Sequence, residues 1–147
     1  ALRLRPQLQL MAVEQRAGAA ALIKANAERL GVRPAAVLEA NAIDLLRGEL
    51  PAEIPADLQQ PNRVVVGGGG RQRNTLLQLV LERLKPMGIV VVPLATVESL
   101  SDVRRLLEDA NLMVCISQLQ ACRGQPLSDG TRLVPMNPIL MVSGTKP

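Results

Sequence analysis

The sequence has 147 residues, 48% of them hydrophobic and 20% charged, with 17 Lys and Arg against 13 Asp and Glu for a net charge of +4. That is enough chain for one domain with its own core. His, Phe, Tyr and Trp are all absent, which excludes Ser-His-Asp and Cys-His catalysis, every His-based zinc motif and any aromatic platform for stacking bases.

The basic excess is local: residues 1–35 hold six basic and two acidic groups, and the remainder is balanced. Arg3, Arg5, Arg16, Lys24, Arg29 and Arg33 read as solvated faces with no recognition motif beside them, so no nucleic-acid partner is expected. Cys115 and Cys122 are too few for a cysteine metal site or a disulfide framework and read as ordinary thiols; no metal is expected. The longest uncharged runs, residues 86–97, 111–122 and 133–145, fall short of a membrane span. Arg3 and Arg5 lead into glutamines rather than an apolar core, so no signal peptide opens the sequence. A soluble, cytoplasmic protein without a membrane partner is the expectation.

Leu8–Val13 is a short apolar run ending at Glu14 and reads as a strand. Residues 17–30 follow as a helix, with Ala19, Leu22, Ile23, Ala27 and Leu30 as its stripe and Gly31 as its stop. A second strand, Ala36–Leu38, leads to Glu39 and Asn41. Residues 48–61 mix Pro51, Pro55 and Pro61 with Glu49, Glu53 and Asp57, which predicts an irregular surface connection. Arg63–Val66 reads as a buried strand ended by Gly67, Gly68, Gly69 and Gly70. Asn74 is positioned to cap a helix whose Leu77, Val80, Leu81 and Leu84 share one face. Pro86 and Gly88 stop it before the strand Ile89–Val92. Ser99, with Asp102 three residues on, resembles a capping box for a helix reaching Ala110, striped by Val103, Leu106, Leu107 and Ala110. Leu112–Ile116 and Ile139–Val142 read as an antiparallel strand pair at a sheet edge, separated by a Pro/Gly-rich excursion. The order predicts an open α/β sheet.

In such sheets ligands bind at the carboxyl ends of the strands. Glu14 sits at one of these ends, where a carboxylate can accept bonds from both hydroxyls of a ribose; it can equally serve as a surface charge at the next helix. Asn41 and Ala42 can meet a base edge, or Asn41 can simply cap a helix beginning at Ala42. Gly67–Gly70 gives a ligand close backbone approach, though it matches neither the Walker spacing nor the dinucleotide fingerprint. Arg71 and Arg73 follow it and can grip carboxylates bidentately, or be ordinary solvated arginines. Arg123 and Arg132 fall in the last excursion and are unremarkable by themselves.

The segments "AVEQRAGAAALIKANAERLGV", "PNRVVVGGGG", "LERLKPMGIVVV" and "ATVESL", with the terminal "QPLSDGTRLVPMNPI", resemble the decarboxylating precorrin-6Y methyltransferases of cobalamin biosynthesis in order and spacing. The likeness is to their carbon-15-methylating domain and covers essentially the whole sequence. The first and third segments occur across class I methyltransferases that use S-adenosylmethionine; the four-glycine strand end and the terminal segment are particular to the precorrin enzymes.

The resemblance implies a Rossmann-like class I sheet with helices on both faces and a donor site for S-adenosylmethionine. Glu14 and Gln15 would face the ribose, Asn41 and Ala42 the adenine, and Gly67 and Gly68 the methionine portion. The acceptor, a tetrapyrrole rich in carboxylates, would lie over Gly69, Gly70 and Arg71 and over Thr96–Glu98. Arg73, Arg123 and Arg132 are further donors assigned to it on charge alone. No residue is assigned as catalytic. A homo-oligomer, or a fused or partner methyltransferase domain, is also implied.

Asn41 and Asn62 stand where the family usually has Asp, and Pro93 where it commonly has Asn. The family's opening strand and glycine turn have no counterpart; Ala1–Arg5 looks like the tail of the helix after them, and the single domain 1–147 is expected to be incomplete at its N-terminus. The strands ending at Glu14 and at the glycines would then each show an unpaired edge, an association liability. The competing expectation is a non-catalytic α/β module, truncated or degenerate, retained for assembly.

Overall fold

A computed structural model describes residues 1–147, which divide into two compact units: residues 1–61 with 75–83, and residues 62–74 with 84–147. No helix in it is long and apolar enough to cross a membrane.

In the first unit, β1 (Met11–Glu14) runs parallel to β2 (Ala36–Glu39), with Glu14 opposite Glu39 at their carboxyl ends. Residues 1–5 form a turn in which the Arg5 N–H bonds to the Ala1 carbonyl, and β1 starts three residues later than the apolar run. Helix α1 (Ala19–Arg29) begins after Gly18, whose φ of 78° only glycine adopts cheaply. It ends in paired bonds from Gly31 to Glu28 and from Val32 to Ala27, with Gly31 left-handed at φ 62°, so the expected glycine stop is there. Its stripe differs from expectation. Ala27 is buried and Ala19, Ala20 and Ile23 are partly covered, while Leu22, about 100° round the helix from Ile23 and about 140° from Ala27, is 64% exposed, and Leu30, past the helix end, is exposed as well.

Helix α2 (Ala42–Arg47) begins at Ala42, where one reading of Asn41 places a helix, and the connection expected to be irregular is interrupted only by a single turn, α3 (Ala56–Gln59). Helix α4 (Arg73–Arg83) follows a 3-10 turn at Gly70–Gln72; Asn74 therefore lies inside its first turn and caps nothing. Leu77, Val80 and Leu81 are buried as their spacing predicts. Arg83 donates through Nη2 to the carbonyls of Leu46 (3.0 Å) and Gly48 (2.9 Å), closing the end of α2.

In the second unit the strand order is β3-β4-β8-β5, from β3 (Arg63–Val65), β4 (Ile89–Leu94), β5 (Met113–Leu119) and β8 (Ile139–Thr145). β3 is parallel to β4; β8 is antiparallel to both β4 and β5. The tail is thus the expected antiparallel pair, with β8 placed inside the sheet. The expectation that all of Arg63–Val66 is buried fails. Val65 is 71% exposed and only Val66 is buried, because β3 pairs on one side alone. β1 likewise pairs on one side alone.

Val90, Val92 and Leu94 of β4 are buried together with Val142 of β8. Helix α5 (Val97–Asp109) packs on β4, β5 and β8, burying Val103 and Leu107, one turn apart. Its cap is Thr96, whose hydroxyl accepts the Ser99 N–H at 3.2 Å. The capping box expected at Ser99–Asp102 is therefore displaced by one turn: Ser99 is the donor partner, not the cap. At the far end Asn111 takes the left-handed position (φ 59°), and Leu112 bonds back to Leu107.

Pro93 lies within β4, between two neighbours. Ile89 donates to Asn62 and Val91 accepts from Val66, so alternate residues of β4 face β3; Pro93 falls in that set, at a point β3 no longer reaches. Its missing N–H therefore costs no ladder bond. The excursion after β5 is a second hairpin, β6 (Cys122–Pro126) and β7 (Thr131–Pro135), closed by the Leu127 N–H on the Gly130 carbonyl.

Candidate functional site

In the first unit, four candidate residues meet at the carboxyl ends of β1 and β2. Glu14 closes β1, and its side chain is 32% exposed. The Arg16 backbone N–H reaches its Oε1 at 3.2 Å and the Arg16 guanidinium its Oε2 at 3.1 Å. The Arg16 side-chain bond, followed by its backbone bond, holds the Glu14 carboxyl below the usual carboxylate range. Beside it, Glu39 accepts the Ala20 N–H at 3.2 Å. Helix α1 has no acid in its own first turn, so Glu39 supplies the negative charge its amino end favours.

Asn41 performs the simpler of its two expected tasks. It is the N-cap of α2, its Oδ1 accepting the Ile43 N–H at 2.9 Å. Its Nδ2 donates to Gln15 Oε1 at 3.3 Å, which ties the residues after β1 to those after β2. Ala42 is the first residue of α2.

The second unit gathers the other candidates at one edge of its sheet. β3, β4 and β5 all point the same way, so the Gly67–Gly70 turn, the Thr96–Glu98 segment and the β6–β7 hairpin all leave from that edge. Gly69 and Gly70 have φ of 97° and 47°, and a Cβ on Gly69 would lie 2.9 Å from the Arg73 Cα. Gly67 and Gly68 have open space where a Cβ would stand. Arg73 folds back, its Nε donating to the Gly68 carbonyl at 3.4 Å, while Arg71 is exposed in the 3-10 turn. The Thr96 hydroxyl is committed to its cap, and Glu98 is exposed in the first turn of α5.

On the hairpin, Arg123 faces Val134 and Gln125 faces Arg132. These four share one face, and Arg132 Nη2 donates to Gln125 Oε1 at 3.0 Å. A shallow hollow of about 320 Å³ is lined by Arg123, Gly124, Gln125, Val134, Pro135 and Met136.

Two contributors escape a reading of the sequence alone. Arg16 looks like one more solvated arginine, and the only signal is its place two residues after Glu14. Glu39 acts on α1 only because the parallel pairing of β1 and β2 sets it there.

The first unit thus holds a carboxylate and an amide pair after neighbouring parallel strands, and the second, taken by itself, holds glycines with open space beside them. The comparisons with known proteins agree with the fold. The chain resembles the probable cobalt-precorrin-6B C(15)-methyltransferase (decarboxylating) of Pyrobaculum calidifontis, with 31% identity over 135 residues, 92% of this chain and 65% of that protein. It therefore spans just under two thirds of that relative's length. The crystal structure of precorrin 8W decarboxylase from Methanobacterium thermoautotrophicum matches with a TM-score of 0.78 at 26% identity, over 92% of this chain and 69% of that one. A SAM-dependent O-methyltransferase from Thermotoga maritima shares the fold at 15% identity (TM-score 0.69, 94% of this chain and 49% of that one). The architecture is the α/β fold of class I methyltransferases. The family model described as the precorrin methyltransferase domain matches residues 1–146, and the chain belongs to that family.

Proposed function

We propose that this chain is an S-adenosylmethionine-dependent methyltransferase domain acting on a precorrin in cobalamin biosynthesis, methylating carbon 15 as an acetate side chain is decarboxylated. The observation that carries the reading is the Glu14 carboxylate at the end of β1, charged and held in orientation, with the Gln15–Asn41 amide pair after the same two strands. Glu14 and Gln15 receive the ribose hydroxyls, Asn41 and Ala42 the adenine, and Gly67 and Gly68 the methionine portion. Asn41 has committed Oδ1 to its cap, so its second amide hydrogen and the Ala42 backbone are what it offers a base. The donor, when bound, supplies an electrophilic methyl group.

The chain's own task is placement, which can supply much of the rate of such a transfer. Arg71, Arg73, Arg123 and Arg132 are the cations for the carboxylates of the acceptor, and all four follow strands that end at one sheet edge. Gly69, Gly70, Thr96 and Glu98 border the same edge. The reading includes self-association of the domain, or pairing with a second methyltransferase domain, and a reducing cytoplasm in which Cys115 and Cys122 stay free.

Calorimetric titration with S-adenosylhomocysteine tests the donor site. Saturable binding by the wild-type chain and its loss in Glu14→Ala are expected. Equal binding by both would remove the ribose role from Glu14.

A further inference from the structure

Both oxygens of Glu14 are already engaged, and both by one residue. The Arg16 N–H bond is a backbone bond and is fixed by the turn after β1. The guanidinium bond, at 3.1 Å, belongs to a side chain that is 80% exposed and packs on nothing else for which a bond or ion pair is seen. One bond thus comes from the main chain and the other from a solvent-exposed side chain. The ribose diol assigned to Glu14 needs an acceptor on each oxygen. A carboxylate oxygen can accept from the Arg16 N–H and a hydroxyl together, whereas Oε2 faces a bulky cation that stands in the solvent from which a ligand arrives.

We propose that the Arg16 side chain is a displaceable counter-ion for Glu14: it orients the carboxylate in the free chain and is exchanged for a ribose hydroxyl on binding, so that it sets nucleoside affinity by competing with the ligand. The proposal rests on the donor-site reading above. Arg16 acts through Glu14 and is a positioning residue, not a catalytic one. The neighbouring carboxylate, Glu39, does not stand in for Glu14, because its Oε2 already accepts the Ala20 N–H. An exposed pair of this kind is weak and screened by salt, so the competition is small and depends on ionic strength.

Titrating the full 147-residue chain with S-adenosylhomocysteine at low and high salt, alongside Arg16→Ala and Arg16→Lys, tests this. Arg16→Ala should bind about two- to fivefold more tightly than wild type at low salt, and the gap should close at high salt. Arg16→Lys, which keeps the charge, should restore most of the wild-type affinity and its rise with salt. Unchanged thermal midpoints in both variants would place the effect in binding rather than folding. Weaker binding by Arg16→Ala would mean that the guanidinium holds the ligand, and equal binding at low salt would mean that it never competes; either overturns the proposal while leaving the donor site standing. No saturable binding by any of the three chains would overturn the donor-site reading itself, and this proposal with it.

Discussion

At the scale of single residues, the chemistry of this chain is concentrated in groups that serve two masters. Asn41 joins the start of α2 to Gln15, and Thr96 starts α5 at the edge from which the acceptor candidates emerge. Glu14 illustrates the consequence for pH. Its carboxyl is held low by Arg16, so the folded chain binds that proton less readily than the unfolded one. The sign follows by linkage: the contribution is complete above the ordinary carboxylate range and is lost as pH falls through the lowered folded value. Carbon-13 NMR of the Glu14 carboxyl should show a midpoint below that of an unstructured Glu, and Arg16→Gln should move it upward. A midpoint that does not move in Arg16→Gln would remove the pair as the cause.

At the scale of elements, legibility tracked how local the determining physics is. The stripes of α4 and α5 were readable because burial on one face repeats at helical spacing, and Leu77, Val80, Leu81, Val103 and Leu107 are buried. Helix starts are less legible in the sequence. Ser99 and Asn74 both have capping chemistry, but Thr96 and the Gly70–Gln72 turn lie earlier in the chain and claim the role first. The burial of Val65 depends on which strands flank β3, a tertiary fact that three adjacent valines do not encode. Of the candidate residues, Glu14 and the glycines are legible by their place after strands, and Arg16 only by lying two residues beyond Glu14; the Glu39 bond to Ala20 needs the parallel register of β1 and β2. Packing yields its own prediction. A Cβ on Gly144 would lie 2.8 Å from the Leu112 Cδ2 and 3.2 Å from the Leu107 Cδ1. Gly144→Val in β8 should therefore destabilise by about 1–3 kcal/mol through overpacking under α5. Denaturant titration measures it, and an unchanged midpoint would show that the two leucines have room to move.

At the scale of the whole molecule, the outer strand of the second unit and its hairpin leave apolar surface open. Met113, Ile116, Leu119 and Leu133 are all exposed, and β5 has a free edge seven residues long. A two-stranded hairpin is marginal in water by itself, and this one has Cys122, Leu133 and Pro135 on the face opposite its arginines. Self-association would cover that face and leave Arg123 and Arg132 to a ligand. Sedimentation equilibrium should give a mass above that of one 15.8 kDa chain, and Leu133→Lys should shift it toward the monomer. A wild-type monomer at tens of micromolar would rule that association out.

Pro93 carries a consequence beyond its own strand. Extending the register of β3 on β4 by two residues would bring Gly67 opposite Pro93, and the next ladder bond would need an N–H that proline does not possess. Pairing is therefore obliged to stop after the Val66 bond to Val91. The proline acts as a punctuation mark written on the neighbouring strand: it decides where β3 ends, releases the Val66 carbonyl, and keeps the glycines out of the sheet and available as a turn.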